Sequence, residues 1–216
     1  MPNGLGDGSI GSWTGPVRHS RAGRPAVGTT ISSPVRWPTA SVSFGRSRGR
    51  SYLLARNTML NKDYRDMLQA LGDEKARFLL VGAYAMAAYG YPRATMDIDI
   101  WVMPSPDNAE AVLRAVKRFG AALHELSKED LLKDDTVFQI GVAPRRIDII
   151  TGVSGLRFED AFARSIEMDV EGISLRIPSL NDLIVNKRAT GRTKDLADAE
   201  VLESLRDLEP PSDSSR

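Results

Sequence analysis

Residues 78–103, FLLVGAYAMAAYGYPRATMDIDIWVM, decide the fold. Phe78-Leu79-Leu80-Val81 is a short apolar run that predicts a buried strand. Gly82 ends it, and Ala83 to Tyr89 is an Ala-rich stretch, apolar on all sides, that predicts a short buried helix. Gly90 and Pro92 break that helix. Asp97-Ile98-Asp99-Ile100-Trp101-Val102-Met103 then alternates strictly, which predicts a second strand. Period-two geometry puts Asp97 and Asp99 on one face with Cα atoms roughly 7 Å apart, and turns Ile98, Ile100 and Val102 to an apolar side.

Outward from this unit, Leu60, Tyr64, Met67, Leu68 and Leu71 recur at helical spacing over Met59–Leu71. Ser105-Pro106 opens a helix with Pro in its first turn, and Gly120 stops it. Thr136–Val142 and Arg146–Ile150 flank Ala-Pro-Arg and predict a hairpin. Phe158–Ile166 reads as helix and Ile173–Ile177 as strand. Ser179 with Asp182 three residues on starts another helix, which runs to about Ala189 before Gly191. Leu196, Ala199, Leu202 and Leu205 mark the last helix. The order α-β-α-β-α-β-β-α-β-α-α means an α/β (α+β) domain: a mixed sheet with flanking helices and a helical C-terminal part over residues 59–209, followed by a frayed tail, 210–216.

Charge divides the chain in two. Eight of its 29 basic groups, all Arg, and one of its 28 acids lie in residues 1–58, about +7; the remaining 21 bases and 27 acids give the body about −6. Residues 1–58 are rich in Gly, Ser, Pro and Arg without lasting period, which predicts a disordered basic arm. Three readings of that arm stay open: a transit-peptide-like leader, an RNA tether through its Arg side chains with Trp13 and Trp37, or sequence upstream of a domain that begins at Met59.

Several classes are excluded. The chain has no Cys, so a disulfide framework, a thiol nucleophile and Cys-ligated metals are out. His19 and His124 stand far apart, His124 reads as solvent-facing, and no Ser/His/Asp arrangement supports a hydrolase. Gly152 and Gly155 lack the strand-to-helix context of a dinucleotide site. The longest uncharged stretch, Phe78–Pro92, is shorter than the ~20 apolar residues of a membrane helix, and a cytoplasmic protein is expected.

Asp148, between Ile147 and Ile149, faces away from the core as Asp97 and Asp99 do. Sheet pairing could bring the three carboxylates together, where mutual repulsion would call for a cation. An isolated Asp-x-Asp reads more readily as a solvated strand face, which accepts acids freely. The helix that follows Gly82 changes this, since its unpaired N–H groups would offer an anion site beside the acids.

Val81-Gly82-Ala83, then Asp97-Ile98-Asp99 with Arg93-Ala94-Thr95 before it, resemble the signature of the DNA polymerase β-type nucleotidyltransferase superfamily. Ser179-Leu-Asn-Asp182 through Lys187, and Arg192-Thr-Lys194-Asp195-Leu-Ala-Asp198, resemble later motifs of its AbiEii-like branch, which includes toxins of type IV toxin–antitoxin pairs. The resemblance covers about residues 77–205. It implies that Asp97, Asp99 and Asp148 bind Mg²⁺ or Mn²⁺, and that Gly82 and Ala83 cradle the phosphates of an NTP. It further implies that Lys187 neutralises the triphosphate, that Asp195 completes the catalytic set, and that Arg93 and Thr95 bind or position phosphate. The implied reaction moves an NMP to a hydroxyl of RNA, such as a tRNA 3′ end, or of a protein, and releases pyrophosphate; an antitoxin partner is implied with it. Where the family has Gly-Gly or Gly-Ser this chain has Gly82-Ala83, which keeps the N–H but loses a hydroxyl or a second Gly's freedom. A catalytically inactive member that binds nucleotide or a partner is the alternative. Without a ligand, Lys187 near a helix end and Asp195 near a helix start are also explained by the helix dipole alone.

Overall fold

In the computed structural model, residues 60–123 and 126–207 are described in full, and residues 18–20 by their backbone. Strand β1 is Arg18–Ser20. Helix α1, Lys62–Asp73, starts where the Asn61 side chain accepts from the Tyr64 amide, three residues later than the apolar spacing alone suggests. Strand β2 (Phe78–Val81), helix α2 (Gly82–Ala88) and strand β3 (Asp97–Val102) follow as expected. Helix α3, Pro106–Phe119, ends on Gly120 in the left-handed conformation.

Helix α4 (Lys128–Leu132) was not anticipated, although Ser127 and Asp130 form a complete capping box at its start. Strands β4 (Thr136–Ile140) and β5 (Arg146–Ile150) make the expected hairpin, with β4 two residues shorter. Helix α5 ends at Arg164, not Ile166; Ile166–Val170 is strand β6, paired with β7, Ile173–Ile177. The correction has a simple cause. Glu171 and Gly172 both hold positive φ, the two-residue turn that matches strand twist, and Ile166, Met168 and Val170 turn toward the core. Helices α6 (Leu180–Thr190) and α7 (Thr193–Asp207), joined through Gly191, are the last of the described elements.

The main sheet runs β1-β4-β5-β3-β2. β3 and β5 are parallel and every other neighbouring pair is antiparallel, so the sheet is mixed. Of the arm, only β1 falls within the described residues, lying on the edge of β4; the expectations for the rest of residues 1–58, for His124 and for the tail lie outside them.

Alternation gives the sheet two different faces. Ile98, Ile100, Ile147 and Ile149 pack with Tyr64, Met67 and Leu71 of α1 and Val112 and Val116 of α3 in the larger core. The opposite face carries a smaller cluster, in which Leu79, Val81, Trp101 and Ile150 meet Phe158 and Ala161 of α5. Trp101 and Phe158 touch edge to face, with centroids 5.1 Å apart. Trp101 shares its strand face with Asp97 and Asp99. Phe158 of α5 therefore covers the Trp101 end of that face, and the two acids lie at the other end. Among the described residues no helix is long and apolar enough to cross a membrane.

Candidate functional site

Parallel pairing of β3 with β5 sets Asp99 directly opposite Asp148 and Asp97 opposite Arg146. On the other flank of β5, Gln139 of β4 stands opposite Asp148. All five side chains belong to one sheet face by the period of the strands. Arg146 joins the acids: its Nε donates to Asp148 Oδ1 at 2.7 Å, and its Nη2 donates to Asp148 Oδ2 at 3.1 Å and to Asp97 Oδ2. Gln139 Nε2 donates to both Asp148 oxygens at 3.3 Å. The Thr95 hydroxyl donates to Asp97 Oδ1 at 2.5 Å.

The Asp99 carboxylate rests against Gly82, register neighbour of the Val81–Asp99 pair. Gly82 holds φ +67°, and a Cβ there would stand 2.2 Å from Asp99 Oδ2. Only glycine serves at this point, for both backbone and space.

Across the cleft, α6 and α7 build a basic wall already matched by buried acids. Lys187 Nζ donates to Asp195 Oδ1 at 2.6 Å and stands 3.1 Å from Asp198 Oδ2, an ion pair not aimed as a hydrogen bond. Thr190 and Arg192 also donate to Asp195, at 2.9 and 2.5 Å. Arg93 pairs with Asp198 Oδ1, tying the segment before β3 to α7.

Burial and partners pull against each other at these groups. Burial raises the Asp148 carboxyl, and the like charge of Asp97 adds to this, outweighing the Arg146 and Gln139 hydrogen bonds. Burial alone would lower the Arg146 guanidinium, but the hydrogen bond and charge of Asp148, with the charges of Asp97 and Asp99, hold it above its ordinary value. The two directions agree on one point: Arg146 stays charged, and Asp148 is the member of the pair whose ionisation the fold resists. At Asp195 burial is overcome by Lys187, Thr190 and Arg192, which hold its carboxyl below the usual range.

Gly82, Ala83, Arg93, Thr95, Asp97, Asp99, Asp148, Lys187 and Asp195, separated by up to 113 positions, all line one cleft of about 600 Å³. Its two walls differ in character: the sheet side gathers three carboxylates around Arg146, and the helix side carries Lys187 and Arg192 paired with buried Asp195.

The chain matches no protein-family model and no curated protein. Solved structures do resemble it. TM1012 from Thermotoga maritima, a protein assigned as a nucleotidyltransferase, is 17% identical with a TM-score of 0.45, over 72% of this chain and 99% of that one. The antibiotic-resistance factor ANT(2″)-Ia in solution is 17% identical with a TM-score of 0.42, over 67% of this chain and 88% of that one. Its complex with adenylyl-2″-tobramycin gives 16% and 0.41, over 66% and 92%.

Among the described residues no three His, Cys, Asp or Glu side chains are arranged to hold a metal ion together. The Arg146 guanidinium bridges two of the acids on the sheet, Asp97 and Asp148. In kind, the donor set fits a hard divalent cation: carboxylate oxygens from neighbouring strands, with no softer ligand among them. Arg146 and Gln139 were missed in the sequence, yet both were findable, since Arg146 lies two residues before Asp148 and the hairpin register carries Gln139 to its side. Asp198 follows Asp195 by three on α7, the spacing that puts both on one helix face.

Proposed function

We propose that this chain is a nucleotidyltransferase that moves a nucleoside monophosphate from an NTP to an acceptor hydroxyl, with release of pyrophosphate. One observation carries the reading: Asp148 lies opposite Asp99 on the neighbouring parallel strand, so three acids share the cleft face beside Gly82. Asp97, Asp99 and Asp148 are the residues that would hold Mg²⁺ or Mn²⁺. When bound, the cation supplies positive charge against the triphosphate and the developing negative charge of the transfer.

The chain's own groups would then divide the work. Thr95 holds the Asp97 carboxylate in place, and Gly82 lets backbone approach Asp99 closely. Gly82 and Ala83 line the cleft, and their backbone N–H groups would serve the phosphates. Lys187 presents positive charge from α6, and Asp195 acts through it by fixing its ammonium. Arg93, held by Asp198, closes the cleft on the same side. The acceptor is a hydroxyl of RNA, a tRNA 3′ end included, or of a protein. The AbiEii-like placement, with a toxin role and an antitoxin partner, rests on the sequence motifs alone.

A second reading, nucleotide or partner binding without turnover, is favoured by two observations: Ala83 follows Gly82, and Arg146 occupies the carboxylates. Incubation with each labelled NTP and Mg²⁺ or Mn²⁺, against total RNA and total protein of a cell extract, separates the two. Transfer of label that Asp99→Ala abolishes is the expected result. Equal labelling by wild type and variant removes the site assignment, and binding without labelling of any acceptor favours the second reading.

A further inference from the structure

The acidic wall of the cleft carries its own cation. Arg146 is the register partner of Asp97 and reaches both Asp97 and Asp148 with three hydrogen bonds, while its side chain stays 23% exposed toward the cleft. A divalent ion that takes Asp97 and Asp148 competes with those bonds, since Arg146 uses both Asp148 oxygens and Thr95 and Arg146 divide those of Asp97. A guanidinium displaced from its carboxylates would remain largely buried and charged without a partner, which opposes binding of the ion by itself. The facing wall offers no substitute, because Asp195 and Asp198 are committed to Lys187, Arg192 and Arg93. A planar fork of N–H donors released beside a bound cation matches one class of partner, the oxygens of a phosphate chain.

On the nucleotidyltransferase reading, we propose that Arg146 makes cation binding depend on the nucleotide, by holding Asp97 and Asp148 until a metal–triphosphate complex supplies both a cation for the acids and phosphate oxygens for the guanidinium. The ion alone meets an occupied site. The ion carried with its triphosphate completes an exchange of partners in which no charged group is left unmatched. Arg146 is thereby a positioning residue that couples two ligands, and no covalent step is involved.

The test uses the full chain as wild type, Arg146→Gln and Arg146→Lys, with folding checked by circular dichroism. Mn²⁺ alone is titrated while the free ion is counted by electron spin resonance. The Mn²⁺ complexes of the non-hydrolysable α,β-methylene triphosphates of all four nucleosides are then titrated by calorimetry. Arg146→Gln should bind Mn²⁺ alone at least about ten-fold more tightly than wild type, the fold-change that corresponds to removing one competing hydrogen bond to a charged group. It should gain nothing, or lose affinity, for the complex. Arg146→Lys, which keeps the charge without the fork, should fall between. If wild type binds a complex but both variants bind bare Mn²⁺ no better than wild type does, Arg146 merely orients Asp148 and the coupling is overturned while the functional reading stands. If wild type binds no complex, or binds it no better than Asp99→Ala, both fall together.

Discussion

A Cβ added to Gly82 would stand 2.2 Å from Oδ2 of Asp99, so the turn out of β2 and the carboxylate of β3 occupy a space that excludes even a methyl group. Two penalties are joined at this point. Gly82 holds φ +67°, where an L-residue is strained by about 1–3 kcal/mol, and the methyl would also push Asp99 aside. Gly82→Ala should therefore lower stability by at least about 1 kcal/mol and impair cation binding. In an Asp99→Ala background the clashing oxygen is gone, so the same substitution should be less damaging. Urea unfolding of the four proteins gives the comparison. An identical loss in both backgrounds would mean backbone strain acts alone.

Lys187 and Arg192 both pair with Asp195, but the two should not be worth the same. The Lys187 side chain is 12% exposed and lies between Asp195 and Asp198, whereas Arg192 is 59% exposed. Lys187→Met leaves two buried carboxylates short of charge and should destabilise the chain by about 3 kcal/mol, the lower end for breaking a buried pair, because Arg93 and Arg192 remain. Arg192→Ala, screened by solvent, should change stability by no more than about 1 kcal/mol. Comparable losses in urea unfolding would show that Asp195 does not depend on Lys187.

How far the cleft was legible in the sequence follows from the range of each signal. Asp97 and Asp99 announce themselves by alternation, and Asp148 by its place between Ile147 and Ile149, because strand period is local. What alternation cannot give is the pairing of strands. That Asp99 meets Asp148, and that Arg146 lies between acids rather than in solvent, depends on β3 and β5 becoming parallel neighbours. Thr95 and Arg93 were expected near phosphate. The structure shows what holds them, an acid of β3 for Thr95 and an acid of α7 for Arg93, and the latter is a contact across 105 positions. In the fold, α4 and β6 were overlooked although the Ser127–Asp130 box and the Glu171-Gly172 turn were both present, because longer apolar patterns on either side drew the boundaries.

Acid should act oppositely through Asp195 and Asp148. The Asp195 carboxyl is held below its unfolded value, about 3.9, so its stabilisation is complete above that value and is lost as pH falls through the lower folded one. The Asp148 carboxyl is raised, so its contribution is favourable below about 3.9 and is lost as pH rises through the folded value. With chelator present, the stability advantage of wild type over Asp195→Asn should shrink below about pH 4. That of wild type over Asp148→Asn should instead decline as pH rises from about 4 toward neutrality. Denaturant midpoints across this range decide it, and slopes of the same sign would contradict the assignment of burial as the dominant influence at Asp148.

Thr95 gives the sharpest separation of a positioning role from a structural one. Its hydroxyl donates to Asp97 Oδ1 at 2.5 Å, while Arg146 takes the other oxygen. Replacing Thr95 with Val keeps the β-branched shape and removes one donor from a carboxylate that is only partly exposed. Stability should fall by only about 1 kcal/mol, the net worth of one such hydrogen bond. Affinity for the Mn²⁺–nucleotide complex should drop by about 10–100-fold, as when a group that orients a metal ligand is lost. Ser at position 95 retains the hydroxyl and should restore most of that affinity. A loss of binding in Thr95→Val no larger than its loss of stability, or a failure of Thr95→Ser to recover it, would place the hydroxyl outside the site's function.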